Sequence, residues 1–300
     1  MNKFQAWIMA ARPRTLPLAL ASISMGAFLA AAVDLFNWQI FLLSALTTTF
    51  LQILSNFAND YGDSIHGADS DLREGPARAV QSGYISPLAM KKAMFIFGFL
   101  SFACGVYLLL IALPSNQLLL LIFLLLGLAA IFAAITYTSG SKPYGYAGLG
   151  DISVLIFFGL VGVLGSFYLH TQKLQWDYLL PALSCGLFST AVLNVNNIRD
   201  IRTDELAGKK SIPVRIGRRK AITYHWLLLL AGIGCSLVYV IINFESWWQF
   251  LFLLSLPLLI KNGRAVQQKT SSSELDPYLK QMALTTLLYV LTFGIGHLFV

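Results

Sequence analysis

"WQIFLLSALTTTFLQILSNFANDYGDSIHGADSD", Trp38 to Asp71, decides what kind of chain this is. From Trp38 to Asn56 it carries no charge. A helix of that length, at about 1.5 Å per residue, crosses roughly 30 Å of hydrocarbon. It then runs into Asn56, Asn59, Asp60, Asp63, Asp69 and Asp71. An apolar helix therefore delivers a cluster of acids to a membrane surface, and something beside it must compensate their charge.

The remainder of the chain agrees. Of 300 residues, 57% are hydrophobic and 12% charged, and the mean hydropathy is +0.68, too apolar for a soluble domain of this size. The sequence predicts an all-α, polytopic membrane protein built as one domain over residues 1–300. Nine candidate spans follow from the apolar runs: Thr15 to Val33, Trp38 to Asn56, Ala93 to Leu113, Gln117 to Tyr137, Ile152 to His170, Tyr178 to Val195, Ala221 to Asn243, Trp247 to Ile260 and Gln281 to Val300. The eighth is short. The first has no convincing cleavage site and is read as a retained span rather than a secretory signal. Cys104, Cys185 and Cys235 lie singly within apolar runs and read as small buried hydrophobes.

Charge sets the orientation. With the N-terminus in the cytoplasm, Lys173 is the one residue among 21 Lys and Arg that falls outside. The net charge of +7 is thus first a topology signal and calls for no nucleic acid. Most of the acids share the cytoplasmic side, in the loops after spans two and six, so function is expected there.

A second stretch, "NVNNIRDIRTDELAGKK", Asn194 to Lys210, follows span six as the first follows span two. Asn56, Asp60 and Asp63 stand at i, i+4 and i+7; Asn197, Asp200 and Asp204 stand at i, i+3 and i+7. If the helices continue this far, each set shares one face, and the two faces meet across a cavity. Carboxylates and amide oxygens without thiolates or paired histidines suit a hard cation such as Mg²⁺, which binds through a few carboxylates and substrate phosphates. Arg78, Lys142, Arg199, Arg202, Lys209 and Lys210 are at hand for the remaining phosphate oxygens. Together these groups describe a diphosphate site. A cation transporter is the competing reading, although its path would need ionisable residues at membrane depth, and the spans are almost free of them.

The two stretches resemble the NDxxDxxxD and DxxxD motifs of the intramembrane aromatic prenyltransferases related to the 4-hydroxybenzoate enzyme of the ubiquinone pathway. "ARPRTLPLALASISMG" at Ala11, "LQILSNFANDYGD" at Leu51, "GLGDISVLIFFGLVGVLGSFYLH" at Gly148 and "LNVNNIRDIRTDELAGKKSIPVRIG" at Leu193 are similar to the branch of that family acting on 1,4-dihydroxy-2-naphthoate in menaquinone synthesis. The resemblance implies nine transmembrane helices around a central cavity open to the cytoplasmic side of a bacterial inner membrane, with the C-terminus outside. It implies as substrates an allylic polyprenyl diphosphate and 1,4-dihydroxy-2-naphthoate, and as cofactor Mg²⁺; no obligatory protein partner is implied. Another aromatic acceptor such as 4-hydroxybenzoate is the alternative within the family.

Residue by residue, Asn56, Asn59, Asp60 and Asp63 match the first motif, and Asp200 and Asp204 the second. Gly67 stands where the family has its last Asp, with Asp69 two further on as a substitute metal ligand. Tyr137 and Lys142 resemble a Tyr and Lys contact to the diphosphate, which Arg78 and Lys209 extend. Asp151, after three closely spaced glycines, is either a helix-start carboxylate favoured by the dipole or a group that orients or deprotonates the aromatic hydroxyl. Arg14 is either a headgroup anchor or the partner of the acceptor's carboxylate.

Overall fold

The computed structural model describes residues 2–66 and 78–299, and these form helices and connections with no β-strand. The helices are α1 (Lys3–Ala11), α2 (Leu16–Ala31), α3 (Trp38–Ile65), α4 (Pro87–Ala112), α5 (Gln117–Thr136), α6 (Gly150–Thr171), α7 (Leu179–Arg199), α8 (Ile201–Leu206), α9 (Ile212–Ile242), α10 (Leu256–Gln268) and α11 (Ser272–His297). Among the described residues eight helices are long and apolar enough to cross a membrane, the predicted span at 247–260 not being among them.

That segment is nonetheless helical throughout. A 3₁₀ stretch, Trp247–Ser255, leads directly into α10, and at about 2.0 and 1.5 Å per residue the two together reach roughly 37 Å. Lys261, Asn262 and Arg264 in its second half dilute its hydropathy. Its contacts define its course. Trp248 packs against Gly296 at the end of α11, Asn262 Nδ2 donates to the Tyr278 carbonyl, and the carbonyl of Lys269 accepts from Arg218 near the start of α9. The segment therefore lies antiparallel to α11 along most of its length.

Small residues hold the bundle together. Lipid is as apolar as leucine, so close backbone approach rather than hydrophobic exclusion drives helices together. Fifteen of the 21 residues of α7 are buried because Ala182, Ser184, Cys185, Gly186, Ser189 and Ala191 let its neighbours approach. A Cβ on Gly186 would meet the Leu155 carbonyl and the Gly159 Cα of α6 at 3.0 and 3.1 Å. Around α7 the main core gathers Met25, Phe167, Phe188, Tyr289 and Phe293. α5 differs: it packs on α3 and α4, and none of its residues is buried. It is a single wall with lipid on one side and, on the other, the cavity that Phe123, Gly127 and Ile131 line.

The ends of α3 and α7 carry the acids and behave differently. α3 runs unbroken through Asn56, Asn59, Asp60 and Asp63 to Ile65, whereas α7 stops at Arg199. Asp200 (φ −100°, ψ 11°) makes the turn into α8, so the continuous second face expected from the sequence is replaced by a bend that points Asp200 and Asp204 back over the cavity. On α3, consecutive residues stand about 100° apart. Asn59 accordingly faces the cavity, while Asp60, the next residue, faces the returning chain. Its Oδ2 and Oδ1 accept the Ala79 and Val80 amides, each at 3.0 Å, which ties the segment bearing Arg78 to α3.

This tether generates a prediction. Asp60→Asn places an amide donor against one of two buried N–H groups and removes the charge on which both bonds rest, a loss on the order of 2 kcal/mol. The thermal unfolding midpoint in detergent should fall clearly for Asp60→Asn and less for Asp63→Asn, whose partners are side chains; an Asp60→Asn protein as stable as the parent would contradict the tether.

Candidate functional site

Between the two Asp-bearing ends lies a cavity of about 760 Å³. Its deeper part is apolar, with Phe102, Leu109, Phe123, Phe157, Phe158 and Leu160 on its walls. Several of these come from a π-helical stretch of α6, Leu155–Leu164, a conformation that is rare in general and frequent at functional sites. Charge is confined to one end, where α3, the loop before α6 and the α7–α8 bend converge.

At that end Asp63 is 3% exposed and fully engaged. Its Oδ2 accepts Arg78 Nη2 at 2.9 Å, and its Oδ1 lies 2.9 Å from Lys209 Nζ and accepts the Tyr146 hydroxyl at 3.1 Å. Lys209 also lies 3.6 Å from Asp204, so one ammonium bridges the two acidic ends across the cavity. Asp200 is gripped side-on by Arg199, with Nε to Oδ1 at 2.8 Å and Nη2 to Oδ2 at 2.7 Å. Asp204 has the weakest compensation. Burial first, and then the charges of Asp200 and Asp63, push its carboxyl up to about 6 against the pull of Lys209. Tyr137 feels the same field: burial, then Asp151 and Asp204, hold its phenol well above the ordinary value.

A cation suits this end. Among the described residues no three His, Cys, Asp or Glu are clustered tightly enough to form a protein-only metal cage. Mg²⁺ does not require one, since it is usually held by one or two carboxylates together with phosphate oxygens and water. The carboxylates of Asp63, Asp200 and Asp204, of which the first two raise the proton affinity of the third, fit such an ion.

The predicted residues separate into groups. Arg14, Asn56, Asn59, Asp63, Arg78, Tyr137, Asp151, Asn197, Asp200, Asp204 and Lys209 all line the cavity. Asn56 is also a tether, its Nδ2 donating to the Ala11 carbonyl at 2.8 Å and to Thr15 Oγ1 at 3.0 Å, while Asn59 Oδ1 accepts Thr138 Oγ1 at 3.0 Å. Asp60 is turned away from the cavity to the backbone. Lys142 is exposed on the loop after α5 and is not among the lining residues. Asp69 lies outside the described residues. Asp151 occupies the first turn of α6, yet it is buried, faces the cavity and accepts the Tyr224 hydroxyl at 3.1 Å.

Other contributors went unread in the sequence. Tyr146 donates to Asp63 and carries Lys209 over its ring, 4.8 Å from the centroid. Its position between Gly145 and Gly148 was the available signal: Gly148 adopts φ +77°, and a Cβ there would run into the Lys210 carbonyl, so the loop can close on the lysines only with glycine. Asp276 and Tyr224 carry no local signal, because their partners lie far away in the chain.

The molecule's relatives agree with this geometry. Residues 19–294 match the UbiA prenyltransferase family. The chain is 47% identical to 1,4-dihydroxy-2-naphthoate octaprenyltransferase of Haemophilus influenzae, over 99% of this chain and 97% of that one. It is 44% identical to the Escherichia coli protein of the same name, over 97% and 96%. Among solved structures, the apo UbiA homolog of Aeropyrum pernix shares the fold with a TM-score of 0.68 at 17% identity, covering 94% of this chain and 96% of that one. The Archaeoglobus fulgidus homolog bound to DMAPP and Mg²⁺ does so with 0.61 at 17% identity, covering 98% and 99%. An all-helical membrane bundle with two acidic ends over one cavity, matched along nearly its whole length, makes this chain a member of the UbiA prenyltransferase family.

Proposed function

We propose that this protein transfers a polyprenyl group from an allylic polyprenyl diphosphate to 1,4-dihydroxy-2-naphthoate, with loss of carbon dioxide, giving demethylmenaquinol for menaquinone synthesis. The observation that carries the reading is a cavity with two acidic helix ends over its mouth and an apolar interior walled by α5. The near full-length identity to two 1,4-dihydroxy-2-naphthoate octaprenyltransferases supports the acceptor.

The diphosphate sits at the charged end and its tail in the apolar part. Asp63, Asp200 and Asp204 would hold Mg²⁺, with Asn56, Asn59 and Asn197 beside them. The ion, when bound, neutralises charge on the leaving diphosphate. Arg78 and Lys209, now paired with Asp63, are placed to turn to phosphate oxygens, which is electrostatic stabilisation of the group that leaves. Of the cations that the sequence suggested for this part, Arg78 and Lys209 line the cavity and Lys142 does not. Rings of Tyr137, Tyr144 and Phe157 surround the allylic carbon and exclude water.

On the acceptor, the two hydroxyls enrich the carbon bearing the carboxylate. As the allylic C–O bond breaks, its electron pair leaves with the diphosphate and the ring carbon forms the new C–C bond. Asp151 takes the proton of the adjacent hydroxyl. Cleavage of the carboxylate bond then returns an electron pair to the ring, carbon dioxide departs, and Asp151 returns the proton to the oxygen. Arg14, on the cavity wall, meets the acceptor's carboxylate. The chain lies in the bacterial inner membrane as one domain with nine crossings, the N-terminus cytoplasmic and the C-terminus outside. The distribution of basic residues and the antiparallel course of 247–268 beside α11 support that count.

Three outcomes are expected. Acceptor labelled in the carboxyl carbon should give an unlabelled prenylated product and labelled carbon dioxide; label kept in the product would replace the assignment with a non-decarboxylating acceptor chemistry. Asp63→Asn and Asp204→Asn should each lower the initial rate ~10²-fold or more in membranes with Mg²⁺, as for loss of one transition-state stabilising group, and a chelator should abolish wild-type turnover. A reporter fused after Val300 should report the outer side of the membrane; a cytoplasmic signal would remove one crossing.

A further inference from the structure

Four charged side chains from separate parts of the chain form a line along the cavity mouth. Arg14, in the turn before α2, donates Nη1 to Asp276 Oδ1 and Oδ2 at 3.1 and 3.0 Å. Asp276, in the second turn of α11, accepts Arg199 Nη1 on Oδ1 at 2.5 Å. Arg199 is buried and grips Asp200 with its remaining edge, while its Nη2 also donates to Asn196 Oδ1 at 2.9 Å. The four charges sum to zero, so the line neither repels nor attracts an arriving anion as a whole.

Arg14 is the exposed cation of this line, with a side chain 28% accessible against 2% for Arg199, and its partner Asp276 is 30% accessible. Asp276 engages it through Nη1 alone. Among the described residues the Nε–Nη2 edge has no protein partner, although that edge is the one matching a carboxylate with two parallel donors. A long side chain at a cavity mouth would otherwise have many rotamers to lose on binding.

We propose that Asp276 is a positioning residue for the acceptor: it clamps one end of the Arg14 guanidinium so that the opposite edge is held ready for the aromatic carboxylate. Arg199, anchored on Asp200, keeps Asp276 in place. Asp276 touches no substrate and acts through Arg14. The proposal rests on the functional reading above, because it requires a carboxylate-bearing acceptor.

The test compares two competing inhibitors of 1,4-dihydroxy-2-naphthoate prenylation in membranes: 1-hydroxy-2-naphthoate, which has the carboxylate, and 1-naphthol, which lacks it. Asp276→Asn should raise the inhibition constant of 1-hydroxy-2-naphthoate about tenfold, or 1.4 kcal/mol, and leave that of 1-naphthol within about twofold. Asp276→Glu should recover part of the loss. Arg14→Gln should show the same selective loss, and the double variant should bind 1-hydroxy-2-naphthoate no more weakly than Arg14→Gln alone, because both changes act on one contact. An equal loss for both inhibitors, no loss for either, tighter binding of 1-hydroxy-2-naphthoate, or additive losses in the double variant would overturn the role of Asp276. Wild-type membranes that fail to prenylate 1,4-dihydroxy-2-naphthoate would overturn the acceptor assignment itself, and this inference with it.

Discussion

A carboxylate carried to the end of an apolar helix must find compensation within reach of its own side chain, since hydrocarbon offers none. The acids of this protein meet that requirement in different ways, and the differences sort their roles. Asp60 takes two backbone amides. Asp63 takes Arg78, Lys209 and a phenol, and Asp200 takes a guanidinium edge. Asp204 is left with an ammonium 3.6 Å away, a long bond from the Ser211 hydroxyl at 3.5 Å and the repulsion of its neighbours. Positive charge is therefore short at one point, over the mouth of the cavity, and the proposed metal–diphosphate binding mode follows from that shortage.

The scaffold concentrates this field. Small residues along α7 draw its neighbours in until the core around it is tight, whereas α5 stays outside as a single wall. The asymmetry leaves an apolar chamber rather than a filled bundle. Its charged end is built from turns rather than helix middles: the bend at Asp200, the glycine-opened loop carrying Tyr146, and the segment from Arg78 that Asp60 ties down. Turns suit this task because they free side chains to converge from several directions. Here the basic groups rest on the carboxylates, so the proposed exchange of partners on substrate binding requires no new charge to be brought in from the protein.

Much of this was legible in the amino-acid sequence. Apolar length identifies a helical membrane bundle, because it follows from the local cost of placing residues in lipid. The spacing of Asn56, Asp63, Asp200 and Asp204 after two apolar runs was enough to gather them at one place, and all four line the same cavity. What a helix wheel could not resolve was which of two neighbouring residues faces the cavity: Asn59 does, whereas Asp60 turns to the backbone, and only the position of residues 79–80 decides between them. The resemblance put Lys142 ahead of Lys209 as the diphosphate's cation, but the loop's path leaves the first exposed and brings the second between Asp63 and Asp204. The Arg14–Asp276–Arg199 line joins residues 262 and 77 positions apart, a distance at which no local pattern exists to be read. Periodicity and charge report what each helix meets in water or lipid; which side chains meet one another depends on how the helices pack.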